Sequence, residues 1–238
     1  MSEPAERVAE LGRRWDLDAE QVASLARLLR LLANDEHAPT TIRDPAAALD
    51  VHLADSLSGL ALAEVRAARS VADLGSGAGF PGVVLAVALP RASIVLVESA
   101  SRKCEFLERA VSAAGVANAR VVCARAEQWA EGEGANDLVV ARAVAPLAVL
   151  CEYAAPLMGP GGSLVAWKGE VGAEEKLAGD RAAALLGLSG AGAVRVEPYA
   201  GSVAHHLHVF RKVAPTPAGY PRRAGVASRR PLGGVPQR

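Results

Sequence analysis

The sequence predicts an α/β fold, a seven-stranded, mostly parallel, doubly wound sheet of Rossmann type with an N-terminal helical cap. Three observations carry the prediction. From Ser70 onward, short apolar runs at 70–74, 94–98, 120–123, 137–141, 163–167, 194–199 and 206–212 alternate with stretches of helical period at 81–89, 101–114, 146–158 and 173–186. A glycine turn follows the first run and an acid, Glu98, closes the second. The last two runs have no strong helix between them, which predicts an antiparallel hairpin at one end of the sheet.

The elements before Ser70 read as helices. Val8, Leu11 and Trp15 share one face, and Val22, Leu25, Leu28, Leu29 and Leu32 share the next. Asp18 followed by Gln21 has the spacing of a capping box. Asp44-Pro45 marks a third start, for a helix carrying Leu49, His52, Leu53, Ser56 and Leu57. The expected organisation is a cap over 1–69, a core over 70–212 and a tail over 213–238. The cap is too small to bury much alone and is expected to pack on the core. Met158-Gly-Pro-Gly-Gly162 reads as a break before the fifth strand. The tail holds five prolines among glycines and arginines and is expected to be disordered in isolation.

Composition narrows the class. Hydrophobic residues make up 51% of the 238 and aromatics only 4%, so the core is aliphatic. Lys+Arg and Asp+Glu balance at 26 each, and net charge alone suggests no polyanionic partner. The distribution does suggest one: from Arg211 to the end there are seven basic residues and no acid. Cys104, Cys123 and Cys151 show no CxxC spacing, so free buried thiols are expected in place of a disulfide or zinc site. His206 and His208 alternate onto one strand face without an acid or cysteine to complete a ligand set, so no metal is expected. No apolar run approaches the roughly 20 residues of a membrane span, and a cytoplasmic protein without membrane contact is expected.

The chemistry concentrates in Val71-Ala-Asp-Leu-Gly-Ser-Gly-Ala-Gly-Phe-Pro-Gly82. Gly77, Gly79 and Gly82 also spell GxGxxG, the dinucleotide pattern, but Asp73 stands at the mouth of the turn. A carboxylate there repels a pyrophosphate and suits a cofactor bearing an ammonium and a sulfonium, as S-adenosylmethionine does. Glu98 is placed to accept from ribose hydroxyls, which both cofactor classes have. A plain strand–helix turn accounts for the glycines but not for the two acids.

The turn, its flanks and the tail together resemble the bacterial 16S ribosomal RNA guanine-N7 methyltransferases, the glucose-inhibited division protein B family. Thr40-Thr-Ile-Arg-Asp44 resembles N-L-T-S-x-R-D, and His52-Leu-Ala-Asp-Ser56 resembles H-x-x-D-S. Asp73 to Gly82 resembles D-x-G-[ST]-G-x-G-[FL]-P-G, whose proline-glycine ending is far more specific than a glycine loop alone. Arg125-Ala-Glu127, Ala141-Arg-Ala143, Trp167-Lys-Gly169 and Tyr220-Pro-Arg-Arg-x-Gly225 resemble R-x-E, S-R-A, x-K-G and Y-P-R-x-x-G. The chain departs at Glu36-His-Ala-Pro39, where the family usually has an asparagine and a leucine, and at Ala141, usually serine.

The resemblance implies a class I methyltransferase core and S-adenosylmethionine on Gly75, Phe80, Glu98, Ala126, Glu127 and Arg142, to which the turn itself adds Asp73 and Gly77. It also implies guanine N7 of 16S rRNA in the small ribosomal subunit as the target. N7 carries a free lone pair, so no general base is expected and no residue is assigned one. Arg142 and Lys168 are expected to orient the base or a phosphate, and Arg222 and Arg223 to contact RNA, with Tyr220 stacking on an unpaired base. His52 and Asp55, three apart on one helix face, read as a structural pair. The competing readings are a small-molecule or protein methyltransferase, a dinucleotide oxidoreductase, and a non-catalytic RNA-binding module.

Overall fold

The computed structural model describes residues 3–234; Pro236 and Arg238 of the tail lie outside them. Helices α1 (Glu3–Arg14) and α2 (Ala19–Asn34) open the cap. The capping box forms: Gln21 N donates to Asp18 Oδ1 and Asp18 N to Gln21 Oε1, both at 2.8 Å. Asp44 caps α3 (Pro45–Ala48) through its side chain. The same helical path continues over Leu49–Ala54 in wider π turns, then through α4 (Asp55–Leu57), the 3₁₀ turn Ser58–Ala61 and α5 (Ala63–Ala67).

The core follows as β1 (Ser70–Leu74), α6 (Gly82–Ala88), β2 (Ser93–Glu98), α7 (Ser101–Ala114), β3 (Ala119–Cys123), β4 (Asn136–Arg142), α8 (Leu147–Ala154), β5 (Met158–Lys168), α9 (Ala173–Leu185), β6 (Leu188–Val196) and β7 (His205–Lys212). The sheet order is β3-β2-β1-β4-β5-β7-β6, with β7 antiparallel to both neighbours. The chain reverses direction across the sheet between β1 and β4, so a crevice opens beyond their carboxyl ends. Period-two alternation sends Val71, Leu138, Val140 and Val165 to one layer and Ala72, Val139, Ala141 and Leu164 to the other.

The cap shares the first layer. Leu25, Leu28, Leu32, Leu53 and Leu57 join one buried cluster with Val83, Leu85 and Phe106 of α6 and α7. Polar contacts pin it further: Arg27 donates to the carbonyls of Ala113 and Ala114 at the end of α7, and Trp167 Nε1 of β5 to Asp55 O at 2.9 Å.

Four regions of the expected layout need correction. β5 begins at Met158, inside the expected break, and its pairing with β4 shifts register between Asn136 and Leu138 to absorb the glycines. The helix expected to run to residue 158 accordingly ends earlier, as α8 and a 3₁₀ turn at Ala155–Leu157. β6 begins at Leu188 and ends at Val196, not 194–199; it is an edge strand, largely exposed, with an irregularity between Gly190 and Gly192, so it carries no apolar alternation. Cys104 and Cys123 are paired as a disulfide with Cα atoms 5.8 Å apart, because β3 lies beside β2 and delivers its end to the first turn of α7. Only Cys151 is free and buried.

The tail is the fourth. Residues 213–234 fold back across α8, with Tyr220 and Leu232 packed against the second layer and α10 (Val226–Arg229) burying Ala227. Arg222 is not free to meet a ligand: its Nε donates to Oε1 of Glu152 at 2.8 Å and its Nη2 bonds Oε2. Glu152 is only 1% exposed, so this ion pair cancels a buried charge. Arg222→Ala leaves that carboxylate unpaired and is expected to destabilise the chain by about 3–5 kcal/mol, read by denaturant unfolding; Arg223→Ala, at an exposed position, is expected within about 0.5 kcal/mol of the parent.

Candidate cofactor and substrate cleft

The crevice is built by the ends of β1, β2 and β4. After β1 the backbone turns through Gly75 at φ +65°, where a Cβ would lie 2.8 Å from Val144 Cγ2; no other residue type fits that turn without displacing the strand-end loop. Asp73 is fully buried. Its Oδ2 accepts from Gly82 N at 3.0 Å, an approach possible because a Cβ on Gly82 would sit 2.5 Å from that oxygen. Its Oδ1 has no hydrogen-bond partner among the described residues. Burial pushes the carboxyl up to about 7, against the Gly82 hydrogen bond and the Arg142 charge, with Glu98 adding to the rise. A buried acceptor with an unused oxygen fits a cationic amine.

Glu98 is held by backbone on three sides. Oε1 accepts from Ser99 N and Ala100 N at 2.8 and 2.9 Å, and Oε2 from Gly77 N at 3.1 Å. The carboxylate therefore keeps one orientation at the end of β2, with lone pairs left over for hydroxyl donors. Ala126 and Glu127 lie on a 3₁₀ turn, Ala126–Gln128, just after β3. Glu127 Oε1 accepts from Gly225 N of the tail at 3.0 Å. The peptide bond between Phe80 and Pro81 is cis.

Arg142, the last residue of β4, joins this turn to the cap. Its Nη1 donates to Asp55 Oδ2 at 2.7 Å and to Val51 O at 2.8 Å, and Nη2 lies 3.3 Å from His52 Nδ1. Its guanidinium carbon stands 5.5 Å from the Phe80 ring centroid, while His52 stacks on Phe80 at 4.5 Å. Arginine can only donate, so Nδ1 of His52 accepts and Nε2 carries the proton, donating to Thr40 Oγ1 at 3.0 Å. Burial, then the Arg142 charge, lowers the His52 pKa to about 4. The expected pair of His52 and Asp55 is thus indirect, with Arg142 between them.

Beside Arg142 opens a cavity of about 280 Å³ lined by Asp55, Arg142, Ala143, Trp167, Lys168, Gly169, Val196, His205 and His206. Asp55 is its one acid, and His205 Nδ1 contacts Asp55 Oδ1 at 3.0 Å. Lys168 is not a bare cation: it pairs with Glu175 at 2.8 Å and reaches Ala145 O at 3.3 Å. Ala143 and Ala204, which flank this cavity, hold φ +56° and +55°, a cost of order 1 kcal/mol or more each for a side-chain-bearing residue. Asp55, Trp167 and His205 were not singled out as site residues by the sequence; H-x-x-D-S and the histidine run were the available signals.

The structure brings Asp73, Gly75, Gly77, Phe80, Glu98 and Arg142 to one crevice, with Lys168 on the adjoining cavity. Arg222 lies outside this crevice, in the tail, paired with Glu152 of α8. Among the described residues no cluster of three or more His, Cys, Asp or Glu side chains has metal-binding geometry, and no helix is long and apolar enough to cross a membrane.

Residues 18–196 match the family model described as rRNA small subunit methyltransferase G. The chain belongs to this family. Family relatives named ribosomal RNA small subunit methyltransferase G include one from Rubrobacter xylanophilus, 41% identical over 92% of this chain and 88% of its own length. Another, from Deinococcus radiodurans, is 39% identical over 90% of this chain and 85% of its own. Among solved structures, a mutant of the 16S rRNA (adenine(1408)-N(1))-methyltransferase from Catenulisporales acidiphilia superposes with a TM-score of 0.52 at 20% identity, covering 68% of this chain and 92% of that one. P. horikoshii TYW2 in complex with MeSAdo gives 0.51 at 17% identity, over 62% of this chain and 59% of that one. These two share the methyltransferase fold with the family member described here.

The His52 arrangement has a pH signature. A histidine whose pKa falls on folding from 6.5 to about 4 contributes its full stability above 6.5 and loses it as pH falls towards 4. Asp73 acts with the opposite sign over that range, so the test is a difference. Unfolding free energies measured from pH 4 to 7 are expected to rise less steeply with pH in His52→Gln than in the parent; parallel curves would contradict a neutral buried His52.

Proposed function

We propose that this chain transfers the methyl group of S-adenosylmethionine to N7 of a guanine in 16S rRNA of the small ribosomal subunit, in the cytoplasm. The observation that carries the reading is the continuity of two sites through Arg142. On one side lies a crevice with an unsatisfied buried carboxyl oxygen and a fixed Glu98; on the other lies the cavity under the cap. The names of the relatives support ribosomal RNA as the substrate, and the motif resemblance supports guanine N7.

When bound, S-adenosylmethionine supplies an electrophilic methyl group on a sulfonium. Asp73 would face its amine, Glu98 its ribose hydroxyls, and the backbone at Ala126 and Glu127 its adenine edge, with Gly75, Gly77 and Phe80 forming the floor. The target nitrogen has a free lone pair, so the chain's task is to place it and to exclude water. That suits a site whose buried His52 is neutral and already committed and whose Asp55 is paired. Three N–H groups of Arg142 are engaged by Val51, Asp55 and His52. The remaining two of the five that a guanidinium offers are available to guanine O6 or a phosphate, which leaves N7 unblocked. Lys168, held by Glu175, would serve the same edge. Arg223, Arg229 and Arg230 are exposed on the tail and would add phosphate contacts; Arg222 supports them from below and Tyr220 is spent on packing.

The decisive experiment is radiolabelled methyl transfer to small subunits lacking the modification, with borohydride–aniline cleavage to map 7-methylguanosine. One new cleavage is expected, weakened about a hundredfold or more in Arg142→Ala. No transfer to subunits or naked rRNA, by a protein that binds the cofactor, would remove the ribosomal assignment and favour a small-molecule substrate.

Asp73 supplies a second prediction. An amine against Asp73 favours its charged form, so binding below about pH 7 releases a proton. Cofactor affinity is expected to weaken as pH drops through 7. Calorimetry in buffers of different ionisation enthalpy should detect the released proton, and Asp73→Asn should abolish it.

A further inference from the structure

We propose that the C-terminal segment is a wall of the cofactor cleft, holding the Ala126–Gln128 turn in place through Glu127; this rests on reading that turn as the adenine side of the cleft. The turn rests Ala126 on the second core layer beside the buried Trp129, but has few polar ties of its own. It follows β3, one of the two edge strands of the sheet, which has a neighbour only in β2. Within the turn, Gln128 N donates to Arg125 O at 2.9 Å and Trp129 N to Ala126 O at 3.4 Å. Its one side-chain tie to another element among the described hydrogen bonds is Glu127 Oε1 to Gly225 N at 3.0 Å.

The other end of that tie is firmly fixed. Arg222 is clamped by the buried Glu152 through its backbone N–H, at 3.1 Å, as well as through its guanidinium. Three residues beyond Gly225, Ser228 Oγ meets Tyr153 Oη at 2.9 Å. Both partners are on α8, so the segment from 222 to 228 is strapped to the helix at each end and presents the Gly225 N–H between the straps. Gly225 has φ +77°, a conformation that aims its N–H at Glu127 and that a side-chain-bearing residue rarely adopts. A carboxylate accepting a fixed backbone N–H keeps one rotamer, and the turn that carries it gives up its freedom to move. Glu127 is thus a positioning residue whose partner lies 98 positions later in the chain.

The test uses full-length protein, with an Ala224–Gly225 ester linkage introduced by semisynthesis to delete the N–H while keeping the glycine's positive φ, and Tyr153→Phe with Ser228→Ala to open one strap without touching Glu127. S-adenosylmethionine affinity is measured by calorimetry, and hydrogen exchange is followed for amides 124–129 without cofactor. Expected in the ester variant are faster exchange confined to 124–129 and the tail, and cofactor binding about tenfold weaker, the loss of one charge-assisted hydrogen bond. The strap variant should shift both readouts in the same direction by less. Glu127→Gln, which keeps an acceptor, should bind more tightly than Glu127→Ala, and Glu127→Ala should match the ester variant. Unchanged exchange at 124–129 in both tail variants would overturn the proposal, as would Glu127→Gln binding as poorly as Glu127→Ala. Failure of the underlying cleft reading would show separately, as Glu98→Ala leaving cofactor affinity intact, while the exchange data still decide whether the tail holds the turn.

Discussion

The architecture of the cleft depends on the ion pair between Arg142 and Asp55. Both side chains are nearly out of solvent, at 15% and 9% exposure, and they meet at 2.7 Å. One partner ends a central strand of the sheet; the other belongs to the cap. The interaction therefore sets how the cap sits over the carboxyl ends of β4 and β5, and with it the shape of the cavity beneath. An ion pair so placed gains less in net stability than its distance suggests, because two charges have lost their hydration. Its contribution is geometric. It fixes the guanidinium above Phe80, presents it to a His52 kept neutral chiefly by burial, and leaves His205 to occupy the other carboxylate oxygen.

That constraint explains why some of the molecule was legible in the sequence and some was not. Apolar runs such as Ile94 to Val97 announce buried parallel strands because both faces are covered, and all of these residues are buried. The turn from Asp73 to Gly82 is legible for a related reason: its chemistry is local, and Gly82 and Asp73 touch within nine positions. Leu188 to Ala193 carried no such signal, since an exposed edge strand needs only backbone pairing. The Cys104–Cys123 pairing and the Asp55–His205 contact, at separations of 19 and 150 residues, depend on strand order, which no spacing along the chain encodes.

The tail shows the limit of compositional reasoning most plainly. Proline, glycine and arginine without periodicity describe a segment unable to build its own core, and this one builds none. It borrows the outer side of the second layer around α8 and α9, packing Tyr220, Ala227 and Leu232 there. The anchor is a glutamate on α8, Glu152, that reads as an ordinary helix residue until its partner arrives 70 positions later. Order in such a segment belongs to the surface it covers.

The paired state of the two cavity cations separates capture from reaction. Arg142 and Lys168 each have a carboxylate within 2.8 Å, so the cavity projects little field into solvent. On the proposed function, long-range attraction of a polyanion would fall instead to the exposed tail arginines, whose reach shrinks to about 8 Å at physiological ionic strength. Encounter with a large RNA particle would then be an ionic-strength-governed event at the periphery. What happens once the base is inside is governed by short contacts that dissolved ions do not enter, and the two stages can be tuned independently.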